Sequence, residues 1–104
     1  MGRKVVLEGY VYVYCHADDC HAVLMPRRLS EEDVRRMAEE KLSHYSEKSR
    51  RKEIEEWILP DFRKNMILDW QVFWDGFEKE ATIPCEVLEE YVGKKVRVTI
   101  EVIE

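Results

Sequence analysis

The run Lys4-Val-Val-Leu-Glu-Gly-Tyr-Val-Tyr-Val-Tyr-Cys15 constrains the fold more than any other segment. Its β-branched and aromatic residues alternate with period two, which marks a strand. Val5, Leu7, Val11, Val13 and Cys15 point to one side, and Val6, Glu8, Tyr10, Tyr12 and Tyr14 to the other. Both faces are partly apolar, as in a central strand or one covered by a helix. His16-Ala17-Asp18-Asp19 reads as a turn, because Asp side chains bond nearby backbone amides. Residues 20–25 then return as the second strand of a hairpin, stopped by Pro26.

Helical signals follow. Ser30 is an N-cap followed by Glu31, Glu32 and Asp33, acids that the helix dipole welcomes in the first turn. Val34, Met37, Ala38, Leu42 and Tyr45 share one side of this helix. Ile54, Trp57 and Ile58 have helical spacing too, but lie about 200° around the axis from the first stripe at roughly 100° per residue. A break at residues 43–49, with a Ser capping the second piece, resolves the mismatch. Pro60 is expected to end that piece. Met66, Leu68, Trp70, Val72 and Trp74 alternate with Ile67, Asp69, Gln71 and Phe73, which predicts a third strand with an apolar face. Asp75-Gly76 predicts a tight hairpin into a fourth strand over 77–83. Pro84 fits the first turn of a helix over 84–92 that Gly93 ends, and residues 94–103 alternate as a last strand.

These elements predict an α+β fold. The chain, residues 1–104, forms one small domain with an antiparallel sheet of about five strands. The order is ββ-α(α)-ββ-α-β, with helices packed mainly on one face. No apolar run approaches the ~20 residues of a membrane helix, and no signal-like segment opens the chain, so the expected location is cytoplasmic. A single Asn (Asn65) and a single Gln (Gln71) among abundant Glu, Lys and Arg point to a thermophile.

Tyr14-Cys15-His16-Ala17-Asp18-Asp19-Cys20-His21 gathers zinc-ligand residue types, with Cys15, Cys20, His16 and His21 as candidate metal ligands. On strands, however, Cys15 and His16 point to opposite faces, as do Cys20 and His21. If Ala17-Asp18 form a two-residue turn, Cys15 faces Cys20 and His16 faces Asp19. The cysteines are then close enough for a disulfide, which would be redox-sensitive because it closes so short a loop. Cys85 is a third thiol that could join this site from elsewhere in the fold.

Tyr10, Tyr12 and Tyr14 could form a stacking platform, but the apolar helices need a face to cover, so core is the favoured role. Trp57, Trp70 and Trp74 are likewise expected in the core. If the sheet's second face is uncovered, the same tryptophans favour a dimer interface. Lys48, Arg50, Arg51 and Lys52 form the densest basic run and are candidate phosphate contacts. Glu53, Glu55 and Glu56 follow at once, the pattern of a solvated helix face. The net charge of −5 argues against a generic nucleic-acid coat. No glycine-rich phosphate loop, HExxH, GxSxG or Walker pattern occurs, so no catalytic residue is nominated.

The segment Thr82-Ile-Pro-Cys-Glu-Val-Leu-Glu-Glu-Tyr-Val-Gly-Lys-Lys-Val-Arg-Val-Thr-Ile-Glu101 resembles half of a swapped-hairpin (AbrB/MazE-like) DNA-binding antitoxin domain. In that family too, a strand ending in Ile-Pro leads to a short helix, a Gly and an alternating strand. The likeness covers about a fifth of the chain. It departs where Phe77-Glu-Lys-Glu80 stands in place of a basic strand, so no DNA-contact residue carries over. The expected function is a non-enzymatic binding or assembly module, homodimeric or with a protein partner and without a cofactor. The alternatives are a nucleic-acid-binding regulator using residues 48–52, and a metal- or redox-responsive protein, with zinc as the metal, using the Cys15–His21 hairpin.

Overall fold

A computed structural model describes residues 2–81 and 86–103. Strand β1 (Lys4–His16) is the axis of the fold. Its second half pairs antiparallel with β2 (Asp19–Met25), and its first half with β4 (Lys95–Glu101). The short β3 (Ile67–Asp69) pairs parallel to β1 at Val13–Cys15. Val11 N donates to Lys94 O and Val13 N to Met66 O, so β3 and β4 share one edge of β1 while β2 takes the other.

Helices α1 (Glu31–Lys41) and α3 (Leu59–Asn65), with the turn Ile54–Ile58 between them, cover one sheet face, while α2 (Glu47–Glu53) buries none of its residues. Ser30 caps α1 in a capping box with Asp33, and Ser46 caps α2, so the expected break between helices is present. Two of the three tyrosines are core, as expected: Tyr12 is fully buried and Tyr14 nearly so, packed with Val23, Met25, Val34, Leu59 and Phe62, while Tyr10 is partly buried against them. Backbone Leu29 N donates to the Tyr12 hydroxyl at 2.7 Å. Burial raises the Tyr12 pKa, and this hydrogen bond opposes the rise. On the opposite face Val11, Ala22 and Leu24 pack with Leu88 from a 3₁₀ turn (Glu86–Tyr91).

The structure corrects several sequence expectations. The helical path does not stop at Pro60. It runs from α2 through a π-helical turn (Ile54–Ile58) into α3, with Pro60 in the first turn of α3. Such a turn widens the ladder just where proline lacks its N–H and would crowd the carbonyl four residues back. The third strand ends at Asp69 rather than Trp74. Asp69 accepts from Gln71 N at 3.0 Å and caps a short helix α4 (Trp70–Val72), which continues as a π-helical turn (Phe73–Phe77). Val72, Phe73 and Phe77 thereby reach the core at helical spacing. Asp75-Gly76 therefore lies in that helical segment and not in a hairpin, and Phe77 and residues 78–80 form no fourth strand. Residues 82–85, which include the rest of that expected strand, the expected helix start and Cys85, lie outside the described residues. The described sheet has four strands in place of about five, and β3 is parallel. The last strand occurs as expected, after Gly93 at φ 84°, the left-handed conformation glycine adopts freely.

The molecule is long, 58 × 24 × 22 Å, with a radius of gyration of 15.4 Å. A compact domain of this length has about 13 Å. The excess comes from the paired first half of β1 and β4, a two-stranded ribbon running beyond the end of β2.

Candidate binding surfaces

At one end of the sheet, β1 and β2 close through the two-residue turn Ala17-Asp18, with His16 opposite Asp19 and Cys15 opposite Cys20. Ala17 holds φ 55°, the positive value a tight hairpin turn requires. Beside a two-residue turn the pair Cys15/Cys20 occupies a narrow, non-hydrogen-bonded position. Its Cα atoms lie 4.1 Å apart and a disulfide joins the sulfurs. On the other face of the same hairpin, His16 meets the Trp70 ring at 4.7 Å. Tyr14 stacks on Phe73 at 4.3 Å and touches His21 at 5.4 Å and Trp74 at 6.3 Å. Trp70 and Trp74, one helical turn apart, remain 40% and 52% exposed. Hairpin and helix thus present one aromatic patch with two imidazoles.

This placement revises the tryptophan expectation. Trp57, Trp70 and Trp74 are surface residues, Trp57 at 59% exposure, because the segment carrying the latter two is helical and its core side is taken by Val72, Phe73 and Phe77. The readable signal was the i, i+4 spacing of the two tryptophans behind a capping Asp. As the strand geometry implied, the cysteines and the histidines occupy opposite faces of the hairpin. Cysteines joined in a disulfide offer no thiolate to a metal. Among the described residues, no group of three or more His, Cys, Asp or Glu side chains is placed to hold an ion. Beneath the patch, burial holds the Asp69 carboxyl above its ordinary range, against the backbone hydrogen bonds from Gln71 and Val72.

The ribbon is the second surface. Register places Val5 opposite Ile100, Leu7 opposite Val98 and Gly9 opposite Val96, all on one face. That face is apolar and incompletely covered: Val5 is 47% and Ile100 50% exposed. The opposite face is mostly polar, with Val6 its exposed apolar residue and Arg97 paired to Glu8 at 2.7 Å. Among the described strands β4 pairs with β1 alone, so its outer edge is open along its whole length.

The basic run sits on α2. Arg51 pairs with Glu47 at 3.3 Å, and Arg50 donates to the Tyr45 carbonyl at 3.4 Å. The shallow groove beside them is lined by Lys48, Arg51 and Lys52 and by Glu47, Glu55 and Glu56, so its charge is balanced. No helix among the described residues is long and apolar enough to cross a membrane. Comparison with protein-family models, with curated proteins and with solved structures finds no match to this chain.

Proposed function

We propose that this chain is a non-enzymatic binding and assembly module that works as a homodimer. The supporting observation is the ribbon formed by β1 and β4, which carries a half-covered apolar face away from the helical core. A two-stranded ribbon is marginal in water by itself, and a further strand or a covering surface stabilises it. Two copies supply that further strand to each other through the same surface. The aromatic patch at the far end of β1 is then a second, separate surface for a protein partner, with two exposed tryptophans on elements held by the disulfide and the Asp69 cap. Light scattering across a hundred-fold dilution tests the proposal: a mass of twice 12.5 kDa supports it, and the monomer mass at every concentration refutes it.

One specific observation favours a second reading. The Cys15–Cys20 disulfide lies behind the aromatic patch, so a redox-responsive protein would loosen that patch on reduction. Intracellular disulfides of this kind fit a thermophile's cytoplasm, the source suggested by composition. The nucleic-acid reading rests on Lys48, Arg50, Arg51 and Lys52 alone, and the acids sharing their groove weigh against it.

A further inference from the structure

We infer that β4 pairs antiparallel with β4 of a second copy about a two-fold axis at Val98, joining two ribbons into one four-stranded sheet. The inference rests on the homodimer proposed above and names its contact. Lys94 O and Val102 N bond inward to β1, so the even-numbered residues of β4 face β1. The N–H and C=O groups of Lys95, Arg97, Thr99 and Glu101 therefore point outward, unpaired by any described strand.

An open edge accepts many registers unless its side chains choose one. A shift by one residue sets outward-pointing groups against inward-pointing ones and turns the apolar face over. Centring on Arg97 sets two guanidinium groups against each other and overlaps only residues 95–99. Centring on Thr99 overlaps only residues 97–101. The arrangement centred on Val98 overlaps all seven residues of β4, Lys95–Glu101. It places Lys95 opposite Glu101 of the second copy, twice by symmetry, and Arg97 opposite the neutral Thr99. On the other face it sets Val96 opposite Ile100 and Val98 opposite Val98, extending the apolar surface made by Val5 and Leu7. Edge lysines ordinarily discourage pairing with other chains. In this register the same charge becomes attractive, and repels strands that lack the matching acid. The ribbon's other edge, β1 over Lys4–Glu8, also has no partner among the described strands, but it is shorter and runs directly into the end of β2 at Met25.

The test uses the full chain with Val98→Cys in a Cys85→Ser background, under mild oxidation. Residue 98 would face its own copy in a narrow, non-hydrogen-bonded pair, the geometry that already joins Cys15 to Cys20. Most of the chain should become a covalent dimer, with several-fold less from Thr99→Cys, whose copies are offset by the register. Independently, Lys95→Glu should raise the dimer dissociation constant about ten-fold, since two attractive pairs become repulsive. Adding Glu101→Lys should bring it back to within about three-fold of the parent, by the same pairing. A wild-type dimer with no cross-link at residue 98 and no effect of Lys95→Glu overturns this contact and leaves the dimer proposal standing. Cross-linking at Val6→Cys instead overturns it in favour of the β1 edge. A monomer at every concentration overturns both.

Discussion

Gly9 stands where β1 passes from pairing with β2 to pairing with β4, and a methyl group there should be costly. A Cβ at residue 9 would lie 2.2 Å from the Met25 carbonyl oxygen and 3.2 Å from Leu24 Cγ. An ordinary carbon–oxygen contact is about 3.3 Å, so the two backbones must separate by roughly 1 Å. Met25 is opposite Tyr10 in the last rung of the β1–β2 ladder, and that shift forfeits the rung. Overpacking of this kind costs about 1–3 kcal/mol and a lost backbone hydrogen bond about 1 kcal/mol. The smaller entropy of the unfolded Ala chain offsets about 0.5 kcal/mol. Gly9→Ala should therefore destabilise by about 2–3 kcal/mol, lowering the melting temperature by roughly 10–20 °C for a domain of this size. Gly76→Ala is the control. Its Cβ would lie 2.4 Å from Met37 Cγ and 2.7 Å from Sδ, but that side chain is half-buried and flexible. Replacing a helical Gly by Ala also gains about 1 kcal/mol, so this variant should fall within about 1 kcal/mol of wild type. Urea and thermal unfolding followed by circular dichroism measure both. Gly9→Ala within about 0.5 kcal/mol of wild type, the size of an ordinary surface change, would refute the close approach of the two backbones.

Two further outcomes concern the patch. Reducing Cys15–Cys20, or replacing both by Ser, should lower stability by about 2 kcal/mol, the loop-entropy figure for a closed loop of this size, and an unchanged melting curve with reductant would contradict it. Asp69 has a pKa raised by burial, so its carboxyl binds a proton more tightly in the fold than in the unfolded chain. It therefore adds stability at acid pH, and that contribution disappears as pH rises through its folded pKa. Asp69→Asn keeps a capping side chain while removing the desolvated charge. It should stabilise the protein by a few tenths to about 1 kcal/mol at pH 7, because the carboxyl is only partly buried, and lose that advantage below about pH 4. A variant less stable than wild type at pH 7 would contradict this.

Much of the first half was legible because local chemistry and tertiary need agree there. The alternation in β1, the Asp-rich turn and the Ser caps each depend on neighbours in sequence, and each occurs as expected. Tyr12 and Tyr14 lie in the core as expected because the apolar stripe of α1 needed a surface to cover. Residues 66–77 were misread because Met66, Leu68, Trp70, Val72 and Trp74 satisfy a strand period, while Val72, Phe73 and Phe77 satisfy a helical one. The deciding feature is the Asp69 cap, a single hydrogen bond that starts the helix. Pro60 misled for a related reason: proline forbids a regular helical interior, and the π-helical turn before it is not regular. The aromatic patch depends on both misread elements. His16 and Trp70 are 54 positions apart, and only the parallel pairing of β3 with β1 brings their rings to 4.7 Å. The ribbon was half visible, since the last strand was expected but its partner was not.

The most direct test of the assembly account is amide hydrogen exchange at the outer edge of β4. The N–H groups of Arg97, Thr99 and Glu101 have no described partner within one chain, so in a monomer they should exchange like an open strand. In the paired dimer they should be protected at concentrations where the dimer forms and lose protection on dilution, while the inward amides of Val98 and Ile100 stay protected throughout. Fast exchange of Arg97 and Thr99 in a sample whose mass is dimeric would show that the two copies meet elsewhere.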